Sequence, residues 1–416
     1  MAQEETQAEV DRLFRHTYGL LVSSLTRLLG VQHIEIIEDI VQESLLKALQ
    51  VWPYHAPIQD PVAWLLTVAK NKALDWIRGQ ERATRFATEF DPLLHSGWTR
   101  HNTFDNEIRL DGLQDDALRM MMACCHPSIA LNDQLAAALK WLCGFTAAEI
   151  GEALLCQTST IQKRIQRVRN HLETNNIRLE IPEGKELKSR LRTVLRVLYL
   201  MFNKGYYCAK SPQPIQRDVC LEAMRLTENL RRHALLGTPE TSALLALFCL
   251  LLARFPARQN GEGQLVLMED QDRTLWDPIL IERGRNLLQC SAKGPNLSRY
   301  HVEAGIALLH AEAPSHAATD WLQITQLYAV LSELAPSETV QLNYAIAQTM
   351  AGQPEAALTR LNNLQLTIGQ HWLLAAKAFV CERLNQPDQA QAFWRMAEHA
   401  ADSDQQTHFY RQKQTE

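Results

Sequence analysis

Apolar residues recur at intervals of three and four along most of the chain, the spacing that places them on one face of an α-helix. In the segment IEDIVQESLLKALQVW, Ile37, Ile40 and Val41 fall on one face and mostly acidic and amide residues on the other. The apolar–polar alternation of a half-buried strand is nearly absent, and only residues 263–268 could form a short extended piece. The pattern predicts an all-α protein.

The helical pattern divides the chain into four sections. A Pro- and Gly-containing stretch without sustained periodicity interrupts it once, and the stretch EIPEGKE precedes the longest section. We therefore predict a helical bundle at 8–82, a linker at 83–112, a second helical region at 113–174 and a helical extension at 185–416.

Two segments near the end of the chain repeat one another. AIAQTMAGQPEAALTRL and AFVCERLNQPDQAQAFW align at an offset of 33 residues, with Pro354 paired with Pro387 and Ala357 with Ala390. A period of this length with small residues in paired helices is typical of tetratricopeptide repeats. We expect tetratricopeptide-like helix pairs near residues 335–400.

The segment TIQKRIQRVRNHL, residues 160–172, carries four cations and no acid, although the chain has a formal net charge of −5. On a helical wheel, Ile161, Ile165, Val168 and Leu172 form an apolar stripe. Lys163 and the neighbouring polar residues point the other way. Most charge runs of this kind are solvated helix faces, so the segment alone does not indicate a function.

The residues before this basic helix favour a helix-turn-helix. Gly144 can end the preceding helix in a left-handed conformation, and Thr146 with Glu149 forms a capping box that starts a short helix. A tight connection at residues 155–158 leads into the basic helix. Such a second helix enters the DNA major groove, where cations contact phosphates and Arg, Lys or Gln side chains reach base edges.

Composition is that of an ordinary globular chain: 416 residues, 46% hydrophobic and 21% charged. No uncharged apolar run reaches about 18 residues, the length that spans a membrane, and we expect neither a membrane anchor nor a secretory signal. The nine cysteines have irregular spacing, which suggests reduced thiols in a cytoplasm.

Candidate metal and catalytic motifs are weak. Cys124, Cys125 and His126 are adjacent, but no CxxC pair exists, so buried cysteines are the better interpretation. The sequence has no phosphate loop, no nucleophile elbow and no HExxH motif. We expect no metal, no cofactor and no enzymatic activity.

Several segments together resemble bacterial RNA polymerase sigma factors of the extracytoplasmic-function type. EDIVQESLLKAL and WLLTVAKNKALDWIR resemble sigma region 2, and GFTAAEIGEALLCQTSTIQKRIQRVRNHL resembles sigma region 4. The segments RLRTVLRVLYLMFNKGYY, EDQDRTLWD and TDWLQITQLYAVL resemble a subgroup with a long tetratricopeptide-like helical extension. Lys204 stands where that subgroup usually has an acid, and Lys163-Arg164 stand where Gln-Arg is common.

The resemblance implies a promoter-specific initiation factor whose partners are core RNA polymerase and promoter DNA. The polymerase would bind the face formed by Asp39, Gln42 and Glu43. Melted −10 DNA would be held by Lys70, Asn71, Lys72, Asp75 and Arg78. Duplex −35 DNA would be read by Gln162, Lys163, Arg164 and Arg167. The alternative is a helix-turn-helix regulator that binds DNA without recruiting polymerase.

The extension is expected to regulate this activity. Within EDQDRTLWD, Arg273 could pair with Asp270 or Asp277, and Trp276 could anchor the core. The segment is therefore either a structural helix junction or part of a pocket for an unidentified ligand or protein.

Overall fold

The computed structural model describes residues 2–52, 60–87, 113–154, 156–175, 177–206, 215–261, 265–292, 297–364, 369–401 and 404–414. In this part of the chain the regular structure is helical, apart from an isolated antiparallel bridge between Gln259 and Leu265. The all-α prediction is confirmed. Most of the predicted linker, residues 88–112, lies outside the described residues.

Residues Met1–Leu200 form a first compact unit. Its helices are α1 (Ala2–Leu29), α2 (Ile34–Val51), α3 (Pro61–Ala87), α4 (Leu113–Cys124), α5 (Leu131–Trp141), α6 (Ala147–Leu154), α7 (Thr158–Thr174) and the first part of α8 (Gly184–Tyr206). Helix α1 packs against α2, α3, α4 and α5, so it lies at the centre of the unit. The core contains fully buried Leu21, Leu25, Ile37, Leu65 and Trp141.

Helix boundaries in this unit follow local signals in the sequence. The Asp60 side chain accepts a hydrogen bond from the Ala63 amide at 2.9 Å, and Pro61 is the first residue of α3. This helix continues to Ala87, beyond residue 82, where the sequence suggests that the first section ends.

The division between units falls inside α8, later than the boundary at residue 185 that the sequence suggests. Arg190 explains part of the difference. Its guanidinium donates to the Met122 carbonyl at 2.8 Å and pairs with Glu186 at 2.6 Å, which ties the start of α8 to α4.

Residues Met201–Glu416 form a second compact unit. Its helices are the end of α8, α9 (Arg217–Arg232), α10 (Pro239–Leu252), α11 (Pro278–Ser291), α12 (Arg299–Glu312), α13 (Trp321–Leu334), α14 (Glu338–Met350), α15 (Pro354–Asn362), α16 (Gln370–Arg383), α17 (Pro387–His399) and α18 (Asp404–Lys413). Short 3₁₀ helices occupy Phe255–Ala257 and Arg273–Leu275.

Helix α10 is apolar on every side and packs against α9, α11 and α12. Phe248 is fully buried and stacks on Phe202 with ring centroids 4.1 Å apart. Among the described residues, the stretch Pro239–Ala257 is the one helical segment long and apolar enough to cross a membrane, but 72% of it is buried inside the protein. A core helix of a globular unit has these properties.

The repeated segments form two consecutive helix pairs, α14 with α15 and α16 with α17. The turns match: Gly352 and Asn385, 33 residues apart, both have positive φ, at 79° and 54°. Ala357 and Ala390 are buried at equivalent positions. The small residues that repeat in sequence therefore allow the paired helices to pack closely.

Candidate nucleic-acid interface

Helices α6 and α7 form the helix-turn-helix that the sequence predicts. The Glu149 amide donates to Thr146 Oγ1 at 3.2 Å, and Glu149 Oε2 accepts from the Thr146 amide at 2.8 Å, which confirms the capping box. Gly144 has φ +69°. A Cβ on Gly151 would lie 2.6 Å from the Cys156 carbonyl oxygen, so the turn requires a glycine in α6.

Helix α7 buries the apolar stripe and exposes most of its polar side. Ile161, Ile165, Val168 and Leu172 are buried, as their spacing predicts. Gln162 and Lys163 are exposed, whereas Arg164 is half-buried. Both −35 candidates at the start of the helix are therefore accessible to a DNA groove.

Two arginines of α7 are held by an acid of α5. Arg167 donates to both carboxylate oxygens of Asp133, at 2.9 and 2.7 Å, while 60% of its side chain stays exposed. Arg164 lies 3.9 Å from the same carboxylate. Asp133 is buried and did not stand out in the sequence, because it lies 34 residues from Arg167. Both arginines brace the helix-turn-helix, and Arg167 also faces solvent.

The polymerase-binding candidates lie on one exposed face of α2. Asp39, Gln42 and Glu43 are exposed and have the three- and four-residue spacing of one helix side. Leu46 and Leu49 continue that side with exposed fractions of 57% and 50%. These leucines were not among the site residues predicted from the sequence, although exposed apolar residues beside acids are suited to a docking surface.

The −10 candidates line the polar side of α3. Asn71, Asp75 and Arg78 are exposed. Lys70 and Lys72 are half-buried. Asp75 pairs with Arg78 at 3.3 Å, and Lys72 pairs with Glu43 of α2. The two candidate surfaces of the first section are therefore joined by an ion pair.

Glu38 is the main departure from the sequence-based interpretation of α2. The wheel places it with the polar residues, but it is only 9% exposed. It accepts a hydrogen bond from the Tyr18 hydroxyl at 2.8 Å and pairs with Lys140 of α5 at 2.8 Å. Burial, and next the Glu38 carboxylate, raise the pKa of the Tyr18 phenol far above its usual value.

Other ion pairs connect the same groups of helices. Arg27 of α1 pairs with buried Asp116 of α4 at 2.6 Å, and Arg169 of α7 pairs with Glu35 of α2. Together with the Glu38 network, these contacts place α1–α3 and the helix-turn-helix in one packed unit.

The residues considered for a metal site are either buried thiols or a histidine that is hydrogen-bonded within the protein. Cys124 and Cys125 are buried, and burial raises the pKa of the Cys125 thiol to about 12. His126 hydrogen-bonds with Ser128, which contacts His171 at 2.7 Å. Among the described residues there is no group of three or more side chains arranged to hold a metal ion.

In the extension, Trp276 is buried, as expected for a core anchor. Arg273 pairs with neither Asp270 nor Asp277, so that interpretation is wrong. Its guanidinium donates to backbone carbonyls of α12 and the residue after it, while Asp277 caps α11 through the amides of residues 279 and 280.

Comparisons with known proteins support the resemblance to sigma region 2 in the first section of the chain. The Sigma-70 region 2 family model matches residues 13–83, and a family of unknown function (DUF6596) matches residues 190–292. An uncharacterized protein of Rhizobium meliloti (strain 1021), R00370, is 34% identical over 351 residues, covering 83% of this chain and 82% of the relative. No solved structure matches.

Proposed function

We propose, from the premise that this chain belongs to the sigma-70 family, that it is a cytoplasmic sigma factor of the extracytoplasmic-function type. It would bind core RNA polymerase and direct promoter-specific initiation. The observation that carries the proposal is a helix-turn-helix packed in the same unit as the region 2 helices. The region 2 match supports a role in polymerase binding and initiation, and the helix-turn-helix supports duplex DNA binding.

Region 2 would hold polymerase through α2. Its acidic and amide side chains would orient a basic partner surface by charge, and exposed Leu46 and Leu49 would add apolar contact. Lys72 would have to exchange Glu43 for a DNA phosphate when both surfaces are occupied, because one ammonium group now bridges the two helices.

Helix α3 would hold the −10 element as single-stranded DNA. Asn71 and Asp75 can hydrogen-bond base edges that a duplex hides, and the nearby cations can contact the backbone. Trapping an unstacked base offsets the few kcal/mol that unstacking costs.

Helix α7 would read duplex −35 DNA as the region 4 counterpart. Gln162 would approach base edges, and Lys163 would contact a base edge or a phosphate. Arg167 would contact a phosphate after exchanging the Asp133 carboxylate for it. The tetratricopeptide-like extension would regulate this activity.

The test is run-off transcription with core polymerase on a pool of genomic fragments that includes the region upstream of this protein's own coding sequence. We expect discrete transcripts with the native protein and their loss with Asp39→Arg or Asn71→Ala. Glu355→Arg, a charge reversal at an exposed residue of α15, is the matched control and should leave transcription unchanged. Binding of duplex DNA without polymerase and without transcripts would favour the helix-turn-helix regulator.

Regulation by the extension is tested by truncation. The cut should follow Leu200, the last residue of the first unit, because a cut at residue 185 would remove Arg190 and its bond to Met122. Unchanged promoter choice, transcript yield and polymerase affinity in the truncated protein would exclude a regulatory role.

A further inference from the structure

Two arginines lie against one buried indole in the second unit. Arg254 follows the end of α10, and Arg273 begins the 3₁₀ helix that precedes Trp276. Their guanidinium carbons are 5.3 and 4.6 Å from the centroid of the Trp276 ring. We call Arg254, Arg273, Trp276 and His310 the arginine cluster.

Within the described part of the chain, neither arginine of the cluster has a carboxylate partner. Arg254 is 8% exposed and donates through Nε and Nη2 to Gln271 Oε1, at 3.2 Å each. Arg273 donates through Nη1 to the carbonyls of His310 and Ala313. Buried guanidinium groups are normally compensated by an anion, because isolated buried charge is costly.

Three polar atoms of the cluster are enclosed without a hydrogen-bond partner among the described residues. They are Arg273 Nη2, Trp276 Nε1 and His310 Nδ1. Trp276 and His310 are 4% and 9% exposed, so solvent does not satisfy these atoms from the surface. Several unsatisfied buried polar groups at one place indicate a missing polar partner.

The surroundings of the cluster are electropositive. Burial, and then Arg254, Arg273 and His316, lower the pKa of His310 to about 3, so its ring is neutral at neutral pH. Burial and Arg254 also lower the pKa of Arg273. The nearby acids Glu269 and Asp270 act on His316, at the half-buried rim.

We propose that the arginine cluster binds a small oxyanion ligand through a carboxylate or phosphate group. The guanidinium forks match the geometry of such groups, and the indole N–H can donate a further hydrogen bond. His310 can donate as well when its neutral ring carries the proton on Nδ1. The bound group would connect the end of α10, the 3₁₀ helix and the end of α12.

Arg360, an arginine outside the cluster, shows what distinguishes the cluster. Arg360 stacks on Tyr344 at 3.8 Å and donates to Gln348 and Gln341 at 2.9 and 2.6 Å. Like Arg254 it has amide and aromatic partners, but no other arginine of the described residues lies over the Tyr344 ring. Arg360→Met is therefore the matched control for removal of an arginine.

The experiment is titration calorimetry of the full-length protein with inorganic phosphate and, separately, with acetate, at constant ionic strength. We expect saturable binding of at least one probe below about 10 mM. Arg273→Met should weaken it more than tenfold, whereas Arg360→Met should change it less than twofold. Binding of phosphate alone or of acetate alone would identify whether the ligand group is a phosphate or a carboxylate. If neither probe saturates the protein, the proposal is overturned.

Thermal unfolding separates a ligand site from a structural role. Without probe, Arg254→Met should melt no lower than the native protein, because it removes an uncompensated buried charge. With saturating probe, the native protein should melt higher and the variant should not respond. An equal loss of melting temperature in both conditions would show that Arg254 is structural and would refute the site. No polymerase is involved, so this failure would leave the proposed transcription role intact.

Discussion

The contact between α1 and the helix-turn-helix unit depends on a glycine in the middle of α1. A Cβ at Gly19 would lie 2.1 Å from the Leu142 carbonyl oxygen and 2.7 Å from the Leu142 carbonyl carbon. Backbone atoms cannot rotate away as a side chain can, so Gly19→Ala must push α1 and the end of α5 apart. Gly79 of α3 has nothing within 4 Å of the corresponding position.

The two glycines give opposite expected signs. Alanine gains about 1 kcal/mol over glycine in a helix, so Gly79→Ala should stabilise the first unit by up to that amount. At Gly19 the same gain is opposed by overpacking, which costs about 3 kcal/mol or more when backbone must move. We expect Gly19→Ala to lose about 2 kcal/mol net, which corresponds to roughly 30-fold more frequent opening.

Hydrogen exchange of the full chain, read on α5 peptides by mass spectrometry, measures this opening directly. Amides of α5 should exchange roughly 30-fold faster in Gly19→Ala. They should exchange at the native rate, or more slowly, in Gly79→Ala. Native protection of α5 in Gly19→Ala would refute the close packing of α1 on the end of α5, and with it the description of the first unit as one body.

Three further predictions concern charged residues. Hydrogen bonds, above all from Arg231, lower the pKa of Glu228 from 4.5 in the free side chain to about 2. The ionised Glu228 carboxylate therefore stabilises the fold fully above pH 4.5, and this stabilisation is lost as the pH falls toward 2. Glu228→Gln should therefore lower the melting temperature near pH 7 and have no effect near pH 2; an equal effect at both would contradict this. Lys163→Ala should weaken −35 binding by the polymerase complex and reduce its salt slope by about 1, measured by fluorescence anisotropy across a potassium chloride series; an unchanged slope would exclude a phosphate contact. Asp133→Asn should lower the free energy of opening of α7 by about 1 kcal/mol, and so speed its hydrogen exchange. The expected loss is this small because solvent screens the largely exposed Arg167. Unchanged exchange would show that the Asp133–Arg167 pair contributes nothing to stability.

Local features of the fold were predictable from the sequence. The capping box at Thr146, the start of α3 at Asp60 and the apolar stripe of α7 all depend on residues within one or two helical turns. Periodicity and capping chemistry describe such short-range interactions well. The same local rules located the helix-turn-helix and the polar faces of α2 and α3, whereas the candidate residues on those faces came from the resemblance to sigma region 2.

Long-range pairing was not predictable, because polar residues that are distant in sequence choose their partners only after the helices pack. Glu38 appears solvent-facing on its own helix and becomes buried when α1 and α5 cover it. Arg273 has acids within four residues on either side but binds a carbonyl 37 residues away. A single sequence does not show which of its distant residues come into contact.

The basic helix α7 shows how this affects function. Three of its four cations face acids of the same unit: Arg164 and Arg167 face Asp133, and Arg169 pairs with Glu35. A concentration of positive charge in an acidic chain is thus partly internal structure. Phosphate contacts that release counterions should number about one or two here, because each paired arginine must first give up a carboxylate. Selectivity for −35 DNA would then depend mainly on the exposed start of the helix, where a glutamine and a lysine can reach base edges without breaking the fold.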